Sequence, residues 1–292
     1  MENTGNPSVS KWQLSRYRKG PKAANGLFQM AISGNDMSKL VHKLFALITV
    51  LTAAVAGYAS YAAFLAFLYA GSLDWVRLDL SEVEKGLLNA SLCLFFFLQH
   101  SGMIRRSFRG WLANFIPTQY QGAIYTLASG ACLLVTVALW QGSEIILFEA
   151  NGLIRGFLRG CFVLSMLGMV WGLLALRSVD MFGLSPILKR SNAKPLHVNH
   201  LTIRGPYLWV RHPLYLFMII LFWSAPLLTM DRLLFNLLWT LWVVAATVLE
   251  ERDLAVDFGE AYRDYQLKVP MLIPKGFRPA YLSEKSNLTV SS

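Results

Sequence analysis

Two clusters of polar residues stand out in an otherwise apolar chain, and both lie in its C-terminal third. The first is Arg204-Gly-Pro-Tyr207, followed by Val210-Arg211-His212-Pro213-Leu214-Tyr215. Pro213 suits the first turn of a helix, where its missing N–H would go unsatisfied anyway. His212 then falls at or just before a helix start, an end that favours an anionic ligand group. Read alone, Arg211 and His212 fit equally well as interfacial anchors. The second cluster is Glu250-Glu251-Arg252-Asp253, which continues into Phe258-Gly259-Glu260-Ala261-Tyr262-Arg263-Asp264-Tyr265 and then Val269-Pro270-Met271-Leu272-Ile273-Pro274. Two adjacent carboxylates closing an apolar helix are costly and oppose its macrodipole. A fixed cation accounts for them, either Arg211 or the ammonium of a ligand, as does a ligand ribose; so does a solvated helix end that marks the membrane boundary. Tyr262 and Tyr265, three apart, share one helix face and can stack on a base or sit in an aromatic belt. A third feature is His100, an ionisable residue inside an apolar run, where such residues are either functional or hydrogen-bonded in the core.

The elements that must position these residues follow from composition. Of 292 residues, 55% are apolar and 15% charged, and the mean hydropathy is +0.43. A soluble domain carries roughly 25% charged residues, so the chain reads as an all-α, polytopic membrane helical bundle. Six segments lack charge for long enough to span a bilayer: 44–73, 86–104, 121–141, 160–176, 212–230 and 233–249. The last two are separated only by Asp231 and Arg232, which predicts a tight helical hairpin or a partly re-entrant segment. Residues 1–43 hold seven Lys/Arg and two acids, the loop 74–85 two basic residues and four acids, and 101–120 Arg105, Arg106 and Arg109 with no acid. The loop 142–159 is balanced, and 177–211 holds six Lys/Arg and only Asp180. Basic loops alternate, as the positive-inside rule requires for six spans with both termini cytoplasmic. The net charge of +10 therefore fits loops facing anionic lipid, and no basic stretch interleaved with aromatics points to nucleic acid. The expected organisation is a flexible basic tail over 1–41 without a signal-peptide pattern, a membrane domain over 42–275, and a loose tail over 276–292. The stretch 181–190 is expected in the interface, with Lys189 and Arg190 at the headgroups. Cys93, Cys132 and Cys161 read as small buried hydrophobes. His197 and His200 lack a third ligand in a metal-binding pattern, and no metal is expected.

The ordered set Arg-His-Pro-Leu-Tyr (211–215), an apolar hairpin, Glu-Glu-Arg-Asp-Leu (250–254), Phe-Gly-Glu-Ala-Tyr (258–262), Tyr265 and Val-Pro-Met-Leu-Ile-Pro (269–274) resembles the integral membrane methyltransferases related to isoprenylcysteine carboxyl methyltransferase. Within that group the bacterial methanethiol S-methyltransferases are most similar. The likeness extends upstream to Gln99-His100-Ser101 with Arg105, Phe115-Ile-Pro117, Tyr125, Trp140, Asp180-Met-Phe-Gly-Leu184 and Phe222-Trp-Ser-Ala-Pro226. The resemblance implies an S-adenosylmethionine site in the C-terminal half of a protein of the bacterial cell membrane. His212, Pro213 and Tyr215 would line it, Tyr207 and Arg211 would lie at its rim, and Glu250 and Glu251 would close it, with Tyr262 and Tyr265 nearby. The implied reaction is in-line methyl transfer to a small thiol, methanethiol first, with a prenylcysteine carboxylate, a phospholipid amine or a non-catalytic membrane role as alternatives. A thiolate is the nucleophilic form, so positive charge from Arg211 or Arg204 would favour it, and a His or Tyr would take its proton. His100 is expected on the acceptor side. Phe217 departs from the family, which usually carries glycine there.

Overall fold

A computed structural model of the chain describes residues 34–176, 184, 187, 201 and 203–276. The chain divides into two compact units, Met1–Phe45 and Ala46–Ser292. Of the first, the described part is the helical run 34–45; every element that positions the candidate site belongs to the second. His197, His200 and nearly all of both expected tails lie outside the described residues. So does most of 181–190; of that stretch, Leu184 and Ile187 are buried with Ala53 and Ala123.

Eight helices form among the described residues: α1 Gly34–Ala70, α2 Glu82–Ile104, α3 Arg106–Leu112, α4 Gln121–Leu139, α5 Gly152–Leu176, α6 Pro213–Trp223, α7 Met230–Phe258 and α8 Glu260–Lys268. Two short strands, β1 Ile146–Glu149 and β2 Leu227–Thr229, pair antiparallel. The architecture is the expected all-α polytopic bundle, and the chain is an integral membrane protein. Local chemistry sets the helix limits. Ser81 and Glu84 form a capping box at the start of α2, each side chain bonding the other's backbone N–H, which satisfies donors that a helix start leaves orphaned. Pro213 opens α6 at its first position, where a missing N–H does no harm.

Among the described residues, five helices are long and apolar enough to cross a membrane: Leu40–Ala70, Glu82–Ile104, Thr118–Leu139, Gly152–Leu176 and Met230–Phe258. The sixth expected span, 212–230, differs. Its helix α6 has 11 residues, about 16 Å at 1.5 Å per residue, half of a ~30 Å hydrocarbon core. Yet His212 at its start bonds Glu251 near the end of α7, while Thr229 just precedes the start of α7, 21 residues and about 31 Å away along that helix. The non-helical run 224–229, a turn that leads into the strand Leu227–Thr229, makes up the difference, at up to about 3.3 Å per residue. Its backbone groups are partly satisfied by pairing with β1, and Pro226 O accepts from Ala150 N at 2.8 Å. The segment is therefore neither a full helix nor a re-entrant loop, but a crossing that is helical over Pro213–Trp223 and continues as a turn and a short strand. Asp231 and Arg232, expected as a turn, lie inside the first turn of α7 and are buried.

Aromatic rings fill the core between α1, α2, α6 and α7: Phe64, Phe67, Phe96, Phe222, Phe235 and Trp239 are all buried there. Cys93 is buried in the same cluster, and all three cysteines are free. Helices α5 and α6 approach closely because small residues face large ones. A Cβ on Gly168 would lie 2.5 Å from the Phe217 ring, and one on Gly172 would lie 2.7 Å from Leu214. Phe217, the departure from the family glycine, thus fills a notch that Gly168 leaves open.

Candidate active site

The site forms where the start of α6 meets the end of α7. A 3₁₀ turn over Gly205–Leu208 leads into it, and Gly205 adopts φ +59°, a left-handed conformation that suits glycine. From there the chain is pinned by backbone bonds: Arg211 N donates to Pro270 O at 2.9 Å, and His212 N to Met271 O at 3.1 Å. The Val269–Pro274 segment therefore acts as a strap across the mouth of α6.

Glu251 is the hub. Its Oε1 lies 2.6 Å from Arg211 Nε, 2.9 Å from His212 Nε2 and 3.0 Å from the Tyr262 hydroxyl. Its Oε2 accepts from Arg211 Nη2 at 2.7 Å and from Gln266 Nε2 at 2.8 Å. Arg211 is spent in the same knot: besides this bidentate pair, its Nη1 donates to Gln266 O at 3.0 Å and to Val269 O. Burial works against the Arg211 charge, but the Glu251 hydrogen bonds and charge outweigh it and raise the guanidinium pKa. The carboxylate at the end of α7 thus has the fixed cation it requires, in the bidentate geometry that arginine suits.

Glu250 is different. It accepts from the Tyr215 hydroxyl at 2.7 Å and lies 3.8 Å from His212 Nδ1. Its side chain is 43% exposed against 11% for Glu251, so it keeps acceptor capacity for a ligand. The His212 ring stacks on Tyr215, with centroids 5.6 Å apart and planes 11° apart, and stands between the two carboxylates. His212, at the N-cap of α6, makes no side-chain capping bond, and a helix start carries backbone donors without intrahelical partners.

Tyr262 and Tyr265 share a face of α8, as their spacing predicts, but both rings are buried and neither offers a free stacking surface. Tyr265 donates to Tyr207 O at 2.6 Å. Burial first, then the Glu251 charge, raises the Tyr262 pKa; burial likewise raises that of Tyr265. Burial, with the Glu250 charge second, pushes the Tyr207 phenol up to about 12. Gln266 belongs to the knot and escaped the sequence reading, although it stands four residues from Tyr262, on the face that spacing defines. The expectation that Arg211 lends positive charge to a thiolate meets a guanidinium already neutralised by Glu251.

His100 lies apart from the knot. Its ring packs on Phe96 and Trp242, and the Tyr125 hydroxyl sits 2.9 Å from Nε2 and 3.0 Å from Nδ1. Arg106 pairs with Asp257 at 2.8 Å, so the basic loop after α2 stands at the same membrane face as the end of α7. Among the described residues, no three His, Cys, Asp or Glu side chains gather to hold a metal ion.

The geometry can be set beside known proteins. A family model described as phospholipid methyltransferase matches residues 154–261, from α5 through the hub. Methanethiol S-methyltransferase 2 of Bradyrhizobium diazoefficiens is 34% identical over 197 residues, covering 66% of this chain and 75% of its own. Methanethiol S-methyltransferase of Pseudomonas deceptionensis is 33% identical over 196 residues, 64% of this chain and 72% of its own. That of Mycobacterium tuberculosis is 30% identical over 189 residues, 64% and 78% respectively. No solved structure matches the chain.

Proposed function

This chain belongs to the methanethiol S-methyltransferase family of integral membrane methyltransferases, and from that premise we propose that it moves a methyl group from S-adenosylmethionine to methanethiol, giving dimethyl sulfide. The observation that carries the reading is the division of labour at the end of α7. Glu251 is consumed in holding α6 against α7, while Glu250 stays half-open beside His212 and the uncapped start of α6. The donor set fits the methionine part of the donor. A carboxylate suits the N–H groups of a helix start, and an ammonium or a ribose hydroxyl suits the free lone pairs of Glu250. In this assignment His212, Pro213, Tyr215 and Glu250 touch the cofactor. Glu251, Arg211, Tyr262 and Tyr265 hold those residues in place, and Tyr207 lies at the rim. When bound, S-adenosylmethionine supplies an electrophilic methyl carbon on a positively charged sulfur. The chain's own contribution is to hold the thiol in line, about 3–3.5 Å from that carbon, and to take its proton, a task that falls to His100 on the acceptor side. The basic loops share the membrane face of the site, so this face is cytoplasmic by the positive-inside rule, and the membrane is the bacterial cell membrane.

Membranes containing the chain, given methyl-labelled S-adenosylmethionine, are to be offered methanethiol, a prenylcysteine and phosphatidylethanolamine in separate reactions. Labelled dimethyl sulfide in the headspace is expected with methanethiol alone. Label in a base-labile ester or in lipid, without volatile product, overturns the choice of acceptor.

A further inference from the structure

A second charged region lies at the opposite end of α7. The end of α1, the start of α5, the loops after α1 and α4 and the short strand pair enclose a cavity of about 690 Å³, within the range of about 300–1,000 Å³ found for ligand sites. Arg232 in its wall precedes Glu250 by 18 residues, about 27 Å along the helix, so the cavity is separate from the methyl-transfer site. Its lining carries charge of both signs, and some of that charge has partners within the fold. Arg77 pairs with Asp74 at 2.6 Å, Lys85 pairs with Glu82 at 2.8 Å, and Asp231 accepts from Trp140, Ser143 and Thr229. Other charges do not. Among the described residues, the side chains of Asp79, Glu149 and Arg155 line the cavity without a hydrogen bond or ion pair. Arg159 lies over the Tyr69 ring at 3.7 Å and commits one N–H, to Tyr69 O. Arg232 is 3% exposed; its two Nη atoms hold Phe67 O and Leu68 O, and its Nε has no partner.

Three guanidiniums thus gather on one wall. Arg155 and Arg159 are four residues apart and share a face of α5, while Arg159 and Arg232 bond consecutive carbonyls at the end of α1. Those carbonyls account for Arg159 and Arg232, but not for Arg155 or for the orphaned Nε. Arg155 stands in the first turn of α5, which holds no acid, and a cation there opposes the macrodipole. A buried donor left unpaired on a charged group is also costly. An anion among the three answers both problems, and a phosphate offers the paired oxygens that guanidinium matches. Asp79 and Glu149 line the same cavity yet pair with none of these cations, which calls for a positive group on the same ligand. Aromatic rings recognise a quaternary ammonium, and the one ring among the described lining residues, Tyr69, is already covered by Arg159. Carboxylates without such a cage suit a primary ammonium, which donates N–H bonds.

We propose that this cavity holds the phosphoethanolamine headgroup of a membrane phospholipid, with the phosphate on Arg155, Arg159 and Arg232 and the ammonium on Asp79 and Glu149. The rim points to lipid as the source. Ile146, Leu147 and Phe148 of β1 and Leu227 of β2 are all exposed, an apolar patch of the kind that marks contact with a membrane. Glu149 ends β1, and Leu227 itself lines the cavity, so a headgroup seated within leaves its chains on this surface. The leaflet is the one opposite the methyl-transfer site.

The test uses the full chain purified in detergent and freed of lipid, as wild type, Arg155→Gln and Glu149→Gln. Neither side chain has a partner in the fold, so the three lipid-free thermal midpoints should coincide. Added phosphatidylethanolamine should raise the wild-type midpoint, because a ligand of the folded state stabilises it, and native mass spectrometry should show one retained molecule. Its affinity is expected to fall about tenfold or more in Arg155→Gln and about fivefold in Glu149→Gln. Phosphatidylglycerol lacks the ammonium and phosphatidylcholine lacks its N–H groups, so each should bind wild type about tenfold more weakly. Arg155→Gln should keep its S-adenosylhomocysteine affinity, and Glu250→Ala should keep the full response to phosphatidylethanolamine. Equal responses to phosphatidylethanolamine and phosphatidylglycerol would reduce the site to a general anion contact and overturn the proposal. A response unchanged in Arg155→Gln, or lost in Glu250→Ala, places the lipid elsewhere and overturns it too. Free phosphoethanolamine acting as strongly as the lipid at equal concentration overturns lipid as the source. All of these outcomes read binding, so failure of methanethiol as acceptor would overturn the function proposed above and leave them standing.

Discussion

Five polar atoms from four residues surround the two oxygens of Glu251, whereas Glu250 holds one tyrosine hydroxyl and stays half-exposed. Substituting the two should therefore give different failures. Glu251→Ala leaves the Arg211 charge buried without a partner, a loss of about 3–5 kcal/mol when one member of a buried pair is removed. A large drop in the thermal midpoint of the purified protein is expected. Glu250→Ala forfeits one hydrogen bond at a solvated edge, about 1 kcal/mol or less. It should leave the midpoint nearly in place while weakening S-adenosylhomocysteine binding tenfold or more, about 1.4 kcal/mol. Equal midpoints for the two variants, or an unchanged affinity in Glu250→Ala, contradict this division. The tyrosines around the knot set its alkaline limit. Tyr207 ionises at about 12 in the folded protein because burial, then Glu250, disfavours the phenolate, against roughly 10 when unfolded. A folded pKa raised above the unfolded one contributes stability that is complete below the unfolded value and lost as pH rises through the folded one. Thermal midpoints should hold to about pH 10 and fall between there and about pH 12. Tyr207→Phe should flatten that part of the decline, and an unaltered decline would remove Tyr207 from the cause.

At the scale of elements, the fit between α5 and α6 rests on Phe217 over Gly168. Gly168→Ala places a methyl within 2.5 Å of the ring, and overpacking of this kind costs about 1–3 kcal/mol. Phe217→Ala in the same chain removes the clash, so the double variant should be more stable than the two single losses sum to. A double-mutant cycle on thermal midpoints measures this coupling, and strict additivity would mean the two residues do not share the notch. The notch also shows what the sequence could and could not reveal. Phe217 was visible as an odd residue, but its partner 49 positions earlier was not, because a glycine inside an apolar helix carries no label for what faces it. The meeting of His212 with Glu250 and Glu251 was legible, since a proline-opened helix start and an uncompensated pair of carboxylates each leave a charge problem that the other solves. Gln266 was missed because an amide in a helix raises no such problem until its neighbours are known, whereas Tyr125 stood among the residues that carry the family resemblance without a role. The half-length of α6 was hidden by hydropathy, which scores apolar residues alike whether helical or extended. Pro226 was the available signal, since the residue before a proline is pushed out of the helical region.

Across the whole molecule, α7 carries chemistry at one end and anchorage at the other. Its 29 residues extend about 43 Å, from the knot to Asp231 and Arg232. Asp231 accepts from Trp140 Nε1 at 2.8 Å, Ser143 N at 2.9 Å and Thr229 Oγ1 at 2.6 Å, drawing together the loop after α4 and the end of β2. Arg232 Nη1 donates to Phe67 O at 3.0 Å and Nη2 to Leu68 O, capping the last turn of α1, where a cation also meets the negative end of the helix dipole. Arg159 adds a third such bond, to Tyr69 O at 2.8 Å. Carbonyls at a helix end near lipid need these partners, because an unsatisfied backbone group there costs several kcal/mol. Arg232→Met should therefore lower the thermal midpoint sharply while the folded fraction binds S-adenosylhomocysteine with wild-type affinity. Combined with Glu251→Ala, its effect on stability should be additive within about 0.5 kcal/mol, since the two sites share no partner and lie far beyond 10 Å apart. A changed affinity in Arg232→Met, or strong non-additivity in the pair, would show that α7 transmits the state of one membrane face to the other rather than serving each independently.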